Sequence, residues 1–364
     1  MPAIISPRAF FTFSVLSLGA CLSATLSADN HKYGGYAEFA DGFGELSTLA
    51  GRGQIRAKYR NGWETRFEGM PASQAELSRP HHAMDDGRGN ILVIDKDAHA
   101  LRRINTDGSI QTIAGTNRCG DGEDKLGQAT EISLCYPNGL WVSGNGTSYI
   151  LDTGNGKVRR LTRDGQITTL FKDPDGIETG RGLWVSDDET LVYYSSGQRL
   201  MKWQPDKGSE VMADGFRELA NLAVSPTGEL FVTDRKASRV YAISANGEKR
   251  TVAGNGKATG GGDGYPATET GLYEVRGIWF HPNGGYFLAT HKGGQIWFVS
   301  PSGIIHRFVD GGRDHQHSGD GLPFYLPGEK ISEPRSVALD SQGNLIITES
   351  DFGFIRRVAH KGAN

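Results

Sequence analysis

Three arginines of this chain stand at matching places, each just before a short apolar segment. They are Arg181, Arg276 and Arg335. The guanidinium group is planar and permanently charged, and its paired N–H donors match the oxygen atoms of a carboxylate, phosphate or sulfate group. If the fold brings three such groups together, their positive charges repel one another. A bound anionic ligand would offset this repulsion. The alternative is that each arginine pairs with a carboxylate of the protein, since buried charges require partners.

Five histidines form a second group of candidate functional residues: His81, His82, His291, His315 and His317. Histidine is a frequent metal ligand and the usual general base near neutral pH. Four of them, His82, His291, His315 and His317, are candidate ligands of a divalent metal such as zinc. No compact ligand motif such as HExxH is present. The alternative is that these histidines bond to backbone or water.

Gly-Asp-Gly triplets recur at residues 120–122, 262–264 and 319–321. Aspartate and backbone carbonyl groups suit calcium, so a cation site is one interpretation of the triplets. A tight turn common to the repeat is the other. The apolar periodicity of a helix does not follow any triplet, which argues against a nucleotide-phosphate loop.

The elements that must position these residues form a repeat. Each of six segments combines a short apolar strand, a turn, a second strand ending in a small polar residue, a loop of roughly constant length and a third strand. Asx-Gly turns such as 107–108 and 164–165 then lead to a fourth strand. The first strands begin at His82, Gly139, Gly182, Asn221, Gly277 and Ser336.

The sixth repeat lacks its fourth strand, and the missing piece lies at the other end of the chain. Residues 45–51 match residues 110–115 almost one for one. The sequence therefore predicts an all-β protein, a six-bladed β-propeller of four-stranded blades whose last blade is closed by an N-terminal strand. An open β-solenoid is the alternative, but it would not need a split repeat. We divide the chain into a signal peptide (1–28), a lead-in (29–44) and the propeller (45–364).

The repeat register predicts which side chains meet at one end of the central channel. Four long inserts, 52–79, 116–136, 255–275 and 312–333, are expected on the same rim. The carboxylates that could neutralise the arginines are those ending the second strands: Asp95, Asp152, Asp234 and Glu349. The residues expected at the channel mouth, and thus in ligand binding, are His81, His82, Asn138, Arg181, Asn221, Arg276 and Arg335.

Composition and the N-terminus bear on location and partners. The net charge is -3, which becomes -4 if Arg8 is removed with the signal, and this balance does not suggest nucleic-acid binding. Arg8, a short apolar stretch and small residues up to Ala28 are typical of an export signal, and no later apolar run is long enough for a transmembrane segment. We expect a periplasmic or secreted protein. The alternative is a lipoprotein anchored through Cys21.

Cys119 and Cys135 bracket one polar loop. In an exported protein, two such cysteines indicate a disulfide bond that closes the loop. Two free buried thiols are the alternative.

Residues 89–95 with 99–102, and residues 253–254 with 262–269, resemble NHL repeats. The resemblance extends from about residue 45 to residue 357 and implies the six-bladed propeller fold. NHL propellers include enzymes, protein-interaction modules and RNA binders, so the resemblance is specific for the fold and weak for function.

Two enzyme families with related propellers offer further comparisons. Residues 137–140 resemble the segment of gluconolactonase-like hydrolases whose asparagine binds the catalytic metal, which implies that role for Asn138. The following blades carry Arg181 and Asn221 instead of that family's other ligands. Peptidyl-hydroxyglycine lyases are NHL-like propellers with a histidine-bound zinc, but their cysteine-containing loop motif is absent here.

These observations predict an exported propeller that binds an anionic small molecule or a partner protein at its channel mouth. A metal-assisted hydrolase or lyase using the histidines and arginines is the alternative. A purely structural role is the third possibility.

Overall fold

Six antiparallel sheets organise the described residues, which are 35–55, 57–312 and 314–362 of a computed structural model. The expected signal peptide, with Arg8 and Cys21, lies outside these residues. Within the described ranges, no helix has the length and hydropathy needed to cross a bilayer. One α-helix, α1 (Tyr36–Asp41), precedes the sheets. Short 3-10 helices occupy Thr65–Phe67, Ala72–Gln74, Lys96–Ala98, Thr153–Asn155 and Ala267–Glu269.

Blades 1 to 3 follow one another along the chain. Blade 1 consists of β2 (Pro80–Asp85), β3 (Ile91–Asp95), β4 (Ala100–Ile104) and β5 (Ile110–Ala114). Blade 2 consists of β7 (Gly139–Val142), β8 (Ser148–Asp152), β9 (Lys157–Leu161) and β10 (Gln166–Lys172), with the short β6 (Gly127–Gln128) on its outer edge. Blade 3 consists of β11 (Leu183–Val185), β12 (Val192–Ser196), β13 (Arg199–Gln204) and β14 (Gly208–Ala213).

Blades 4 and 5 repeat the same order. Blade 4 consists of β15 (Leu219–Val224), β16 (Leu230–Asp234), β17 (Arg239–Ile243) and β18 (Lys249–Ala253). Blade 5 consists of β20 (Val275–Phe280), β21 (Tyr286–Thr290), β22 (Gln295–Val299) and β23 (Ile304–Asp310), with β19 (Tyr265–Pro266) on its outer edge.

Blade 6 is built from both ends of the chain. Its strands β24 (Pro334–Leu339), β25 (Leu345–Glu349) and β26 (Phe354–His360) are completed by β1 (Phe43–Ala50), which pairs antiparallel with β26. Leu46 lies opposite Val358 in this pair, and both side chains are fully buried. The predicted fold and the closure of the last blade are confirmed. The closed ring leaves no innermost strand without neighbours on both sides.

Each of the four long inserts runs, for part of its length, along the outermost strand of a blade, where it makes backbone hydrogen bonds. Such bonds join Ile110 to Met70 in blade 1 and Leu46 to Leu322 in blade 6. In blades 2 and 5 the inserts contribute the short strands β6 and β19. The inserts therefore cover strand edges that would otherwise be free to pair with another chain. The ends of two inserts also reach the channel mouth, through Glu274 and Glu333.

The innermost strands face the central channel. The third residue of β7 is Trp141, and the equivalent residue of β20 is Trp279. These indoles come from blades 2 and 5, opposite each other in a six-membered ring, and their centroids are 6.2 Å apart. The ring centroid of Trp184, in blade 3, also lies 6.2 Å from that of Trp141. The tryptophans thus narrow the channel below the end where the first strands begin.

Two further features attach segments outside the blades to the ring. In α1, Tyr36 stacks on His306 and Phe39 stacks on Phe298, each with centroids 4.0 Å apart, so part of the lead-in packs on blade 5. Cys119 and Cys135 form a disulfide bond, as predicted.

Candidate functional site

Six equivalent side chains stand where the first strands begin, at one end of the channel. In three of the blades this position is a β-bulge, occupied by His81, Arg276 and Arg335. A bulge adds one residue to the strand and re-aims its side chain. Five of the seven residues expected at the mouth occupy these positions, whereas His82 lies one residue further along its strand and Ala220 stands where Asn221 was expected. The six positions are His81, Asn138, Arg181, Ala220, Arg276 and Arg335.

A chain of polar contacts begins at blade 2 and passes through blades 1 and 6. The Nδ1 atom of His81 contacts Oδ1 of Asn138. Its Nε2 atom accepts a hydrogen bond from Nη1 of Arg335 at 3.0 Å. The Nη2 atom of Arg335 lies 2.5 Å from Oδ1 of Asp351, which belongs to the loop after β25. All of these side chains are buried except that of Asp351, which is partly exposed.

The same chain continues through blade 5. His291 contacts Asp351 through Nε2 at 3.1 Å and Glu274 through Nδ1 at 3.2 Å. Glu274 accepts a hydrogen bond at 2.9 Å from Nε of Arg235, which stands at the end of β16 in blade 4.

The chain of contacts ends in blades 4 and 3. Arg235 lies 2.5 Å from Glu218, and Glu218 lies 3.0 Å from Nη1 of Arg181. We call this chain of contacts the mouth belt; it draws on all six blades and contains three guanidinium groups and three carboxylates. Its members are Asn138, His81, Arg335, Asp351, His291, Glu274, Arg235, Glu218 and Arg181.

Burial and neighbouring charges alter the titration of belt residues. Burial, with the charges of Lys96 and Arg335, holds the pKa of His81 well below its usual 6.5. Burial alone would raise the pKa of Asp351 and Glu274, but hydrogen bonds with His291 and with the arginines lower both. The belt is therefore made of ionised arginines and carboxylates and a neutral His81 at neutral pH.

Arg276 lies at the same mouth but is not part of the belt. Its side chain is 4% exposed, and its buried Nε and Nη1 atoms have no hydrogen-bond partner among the described residues. Burial, followed by the charges of Arg335, Arg181 and Arg235, holds its pKa well below the usual 12.5. The carboxylates of the belt are paired with other cations, and no ion pair joins a carboxylate to Arg276 among the described residues, so the charge of Arg276 is left uncompensated.

The backbone around Arg276 is held by the neighbouring blade. The hydroxyl of Thr233 donates a hydrogen bond to the Arg276 carbonyl oxygen at 2.7 Å and accepts one from the Asn221 backbone N–H at 3.0 Å. Asn221 itself is buried beside the channel. Arg276 is therefore positioned by blade 4 as well as by its own strand.

The carboxylates at the ends of the second strands do not neutralise the channel arginines, in contrast to the alternative considered from the sequence. They pair instead with arginines of the third strands and with backbone N–H groups. The pairs, each fully buried on both sides, are Asp95 with Arg102 at 3.1 Å, Asp152 with Arg159 at 3.1 Å and Glu349 with Arg356 at 2.7 Å. Asp234 accepts backbone hydrogen bonds from Arg217 and Glu218.

The four histidines predicted as candidate metal ligands take different places. His291 groups with Glu333 and Asp351, all three offering ligand atoms within 4.8 Å of one another. His82 is buried, with Nδ1 unpartnered among the described residues, and burial lowers its pKa to about 4. His317 contacts Glu349 at 3.2 Å and stacks on a phenylalanine ring. His315 has a left-handed backbone and packs against Gly294.

The aspartates of the Gly-Asp-Gly triplets contact basic or backbone groups of the adjoining blades. Asp121 pairs with Lys157, and Asp320 lies 2.7 Å from Arg356. Asp263 accepts a hydrogen bond from the backbone N–H of Arg307 at 2.9 Å. These contacts attach the inserts to the outer parts of the blades.

Sequence reasoning missed several members of the site. Glu218 and Glu274 each stand two residues before a mouth position, Ala220 and Arg276, so aligning the repeats at that offset could have found them. Glu333 has the same offset from Arg335. Asp351 carries no comparable signal, because it reaches the belt from a loop of blade 6.

Comparison with known proteins supports the fold and gives few functional constraints. No protein-family model matches the chain. Teneurin-3 of Danio rerio is 25% identical over 325 residues, covering 80% of this chain and 11% of the teneurin. The chain thus spans only a small part of that relative's length.

Solved structures with similar backbones are more distant in sequence. A protein of unknown function from Bacteroides thetaiotaomicron has a TM-score of 0.68 at 15% identity, over 86% of this chain and 75% of its own. An auxiliary nutrient binding protein from Bacteroides ovatus has a TM-score of 0.63 at 13% identity, over 87% and 77%. A gluconolactonase from Xanthomonas campestris has a TM-score of 0.53 at 14% identity, over 78% and 86%. At such identities the likeness concerns the fold.

Proposed function

We propose that this chain is an exported NHL-type propeller that binds an anionic small molecule at its channel mouth. The observation that carries the proposal is Arg276, a buried guanidinium group with two unpartnered nitrogen atoms beside carboxylates that are already paired with other cations. An uncompensated buried charge is costly, and an anion bound to it removes that cost. Guanidinium and carboxylate or phosphate groups also match in geometry.

The position of Arg276 favours a small ligand over a protein surface. The mouth is lined by side chains held in place by one another, and much of each long insert is held along an outer strand by backbone hydrogen bonds. A rigid, recessed site with a few convergent polar groups is typical of small-molecule binding. The similarity to a nutrient binding protein is in keeping with this.

Anion-induced stabilisation tests the proposal. We expect acetate, phosphate or sulfate to raise the melting temperature, since a ligand at 100 times its Kd stabilises a protein by about 2.7 kcal/mol. Arg276→Gln should abolish the effect and raise the melting temperature of the ligand-free protein, because it removes an unpaired buried charge. Arg307→Gln is the matched control, since Arg307 is an exposed arginine paired with Asp310 on an outer strand. Equal stabilisation of wild type and Arg276→Gln would rule the site out.

His291 favours a second candidate function, a metal-assisted hydrolase or lyase. A neutral imidazole carries one N–H group. If His291 donates it to Glu274, its Nε2 lone pair faces Asp351 at 3.1 Å and Glu333 at 3.3 Å. Three acceptor groups then converge, and either a proton or a divalent cation would relieve their repulsion. A cation held by His291, Glu333 and Asp351 would supply Lewis-acid activation of water or substrate.

Metal analysis separates the two candidates. The second candidate predicts a bound divalent ion in the purified protein, a lower melting temperature in chelator and loss of both in His291→Gln. Lactone hydrolysis that depends on the added metal would support the hydrolase. A protein that gains no stability from zinc, calcium or magnesium would exclude this candidate while leaving the anion site untouched.

Export is part of the proposal and has separate support. The Cys119–Cys135 disulfide is in keeping with an oxidising compartment. Expression with a reporter fused after residue 40 tests the signal, and mass spectrometry of the mature N-terminus distinguishes cleavage after Ala28 from lipid attachment at Cys21.

A further inference from the structure

Besides Arg276, the channel mouth has a second positively charged side chain without an ion-pair partner among the described residues, that of Lys96. Lys96 directly follows β3, in the position that Arg235 occupies after β16 and His291 occupies after β21. Those two residues reach the mouth belt from that position. The charge of Lys96 acts on His81, a member of the belt. Lys96 therefore stands at the mouth as its two equivalents do.

Lys96 differs from these equivalents in having no ion pair or hydrogen bond of its side chain among the described residues. The nearest carboxylate in sequence, Asp97, is already engaged. It pairs with Arg79 at 3.0 Å and accepts the backbone N–H of Tyr59 at 2.7 Å. Of the neighbouring charges that act on Lys96, that of Asp97 favours its charged form, whereas those of Arg79, Arg181 and Arg335 oppose it.

The two uncompensated cations belong to different parts of one mouth. Arg276 is in blade 5 and Lys96 is in blade 1, with blade 6 between them. The charges of Arg181 and Arg335 act on both residues. Arg181 and Arg335 are themselves paired with carboxylates. Among the described residues, the positive charges at the mouth that have no ion-pair partner are therefore those of Arg276 and Lys96.

Building on the anion-binding function proposed above, we propose that the ligand is a small organic molecule with two anionic groups, one bound by Arg276 and the other by Lys96. A dicarboxylate, or a carboxylate that also carries a phosphate or sulfate ester, has this chemistry. A compact inorganic dianion carries its charge on one centre, so we expect it to satisfy only one of two residues whose blades are separated by blade 6.

Lys96 also offers a readout that depends on its protonation. Burial, with the charges of Arg79 and Arg181, lowers its pKa from 10.5 to about 7. Arg335 acts in the same direction, and Asp97 opposes it. A ligand anion on Lys96 favours the charged form. Binding at pH 8 should therefore take up as much as about one proton, and binding at pH 6 should take up much less.

The experiment is calorimetric titration of the full mature chain with a series of ligands. The series contains butyrate, the straight-chain dicarboxylates from succinate to pimelate, tricarballylate, glycerol 3-phosphate, 3-phosphoglycerate and inorganic sulfate. We expect one length of dicarboxylate, or 3-phosphoglycerate, to bind at least tenfold more tightly than butyrate and sulfate. The preference between dicarboxylates and 3-phosphoglycerate distinguishes the two sources of the second charge.

Two variants assign the two points of contact. Lys96→Gln should reduce the affinity for the preferred dianion to that for butyrate, leave butyrate binding unchanged and remove the proton uptake at pH 8. Arg276→Gln should weaken every ligand. Lys202→Gln, which removes a lysine paired with Glu210 on an outer strand, is the control and should behave as wild type.

The outcomes separate this inference from the function on which it rests. If butyrate and sulfate bind through Arg276 but no dianion exceeds them, or if Lys96→Gln leaves the dianion preference intact, the two-point site is wrong and the anion site stands. If no member of the series binds, or if Arg276→Gln binds all of them normally, the anion site fails as well.

Discussion

Arg335 donates a hydrogen bond from Nη1 to Nε2 of His81, over 3.0 Å and between buried side chains of adjacent blades. A guanidinium group has only donors, so Nε2 must be the unprotonated nitrogen of the ring. The proton then lies on Nδ1, which faces Asn138 Oδ1. The contact therefore sets the tautomer of His81 and holds Arg335 towards the mouth.

This arrangement predicts an unusual titration of His81. Because burial and the nearby cations hold its pKa well below 6.5, the ring should stay neutral from pH 8 down to pH 6.5, where an ordinary histidine is half protonated. Nitrogen-15 NMR of labelled histidine should show a protonated Nδ1 and an unprotonated Nε2 throughout, and His81→Asn should identify the signal. A ring that becomes doubly protonated near pH 6.5 would contradict the contact.

Ring closure by β1 predicts a large effect of a single N-terminal substitution. Leu46 is fully buried opposite Val358, whereas Leu49 in the same strand is only partly buried. Leu46→Ala should lower the free energy of unfolding by about 2–5 kcal/mol, and Leu49→Ala by less than half as much. Urea denaturation followed by tryptophan fluorescence measures both. Equal and small effects would mean that β1 does not close blade 6.

The disulfide bond predicts a stability difference that depends on redox conditions. Cys119 and Cys135 are 16 residues apart, and closing a loop of that length stabilises a protein by about 3 kcal/mol. The double variant Cys119→Ser/Cys135→Ser should unfold at lower urea and keep its β-sheet circular dichroism. Reductant should shift the wild type towards the variant and leave the variant unchanged. Rapid alkylation of both thiols in the native, unreduced protein would be incompatible with the bond.

His82 predicts a pH dependence of stability. Its pKa is lowered by burial from 6.5 to about 4, so the unfolded chain binds a proton between these pH values that the folded protein does not. Stability attributable to His82 is therefore present above pH 6.5 and lost as the pH falls towards 4, by as much as about 3 kcal/mol. His82→Gln should flatten this part of the urea-midpoint profile. Met84→Leu, in the same strand, should keep the wild-type slope.

Much of the architecture could be predicted because it rests on local patterns. The alternation of short apolar strands with Asx-Gly turns defines a blade within some 40 residues of chain, and hairpins of this kind depend on neighbours in sequence. The match between residues 45–51 and 110–115 then indicated the closing strand. The paths of the inserts along the outer strands were not predicted. A polar loop lacks the regular spacing of apolar residues that would indicate which strand it pairs with.

The candidate site also has a part that the sequence predicts and a part that it does not. Which residues begin the first strands, among them His81, Arg276 and Arg335, follows from the amino-acid order, because the repeat register places equivalent residues at equivalent heights. Which arginine lacks a partner depended on folding. Arg181 is neutralised by Glu218 of the next blade and Arg335 by Asp351 from a loop of its own blade, and an ion pair forms only where the fold brings two side chains within about 4 Å. Arg276 has no such neighbour among the described residues, and that difference arises from the packing of six blades around one channel.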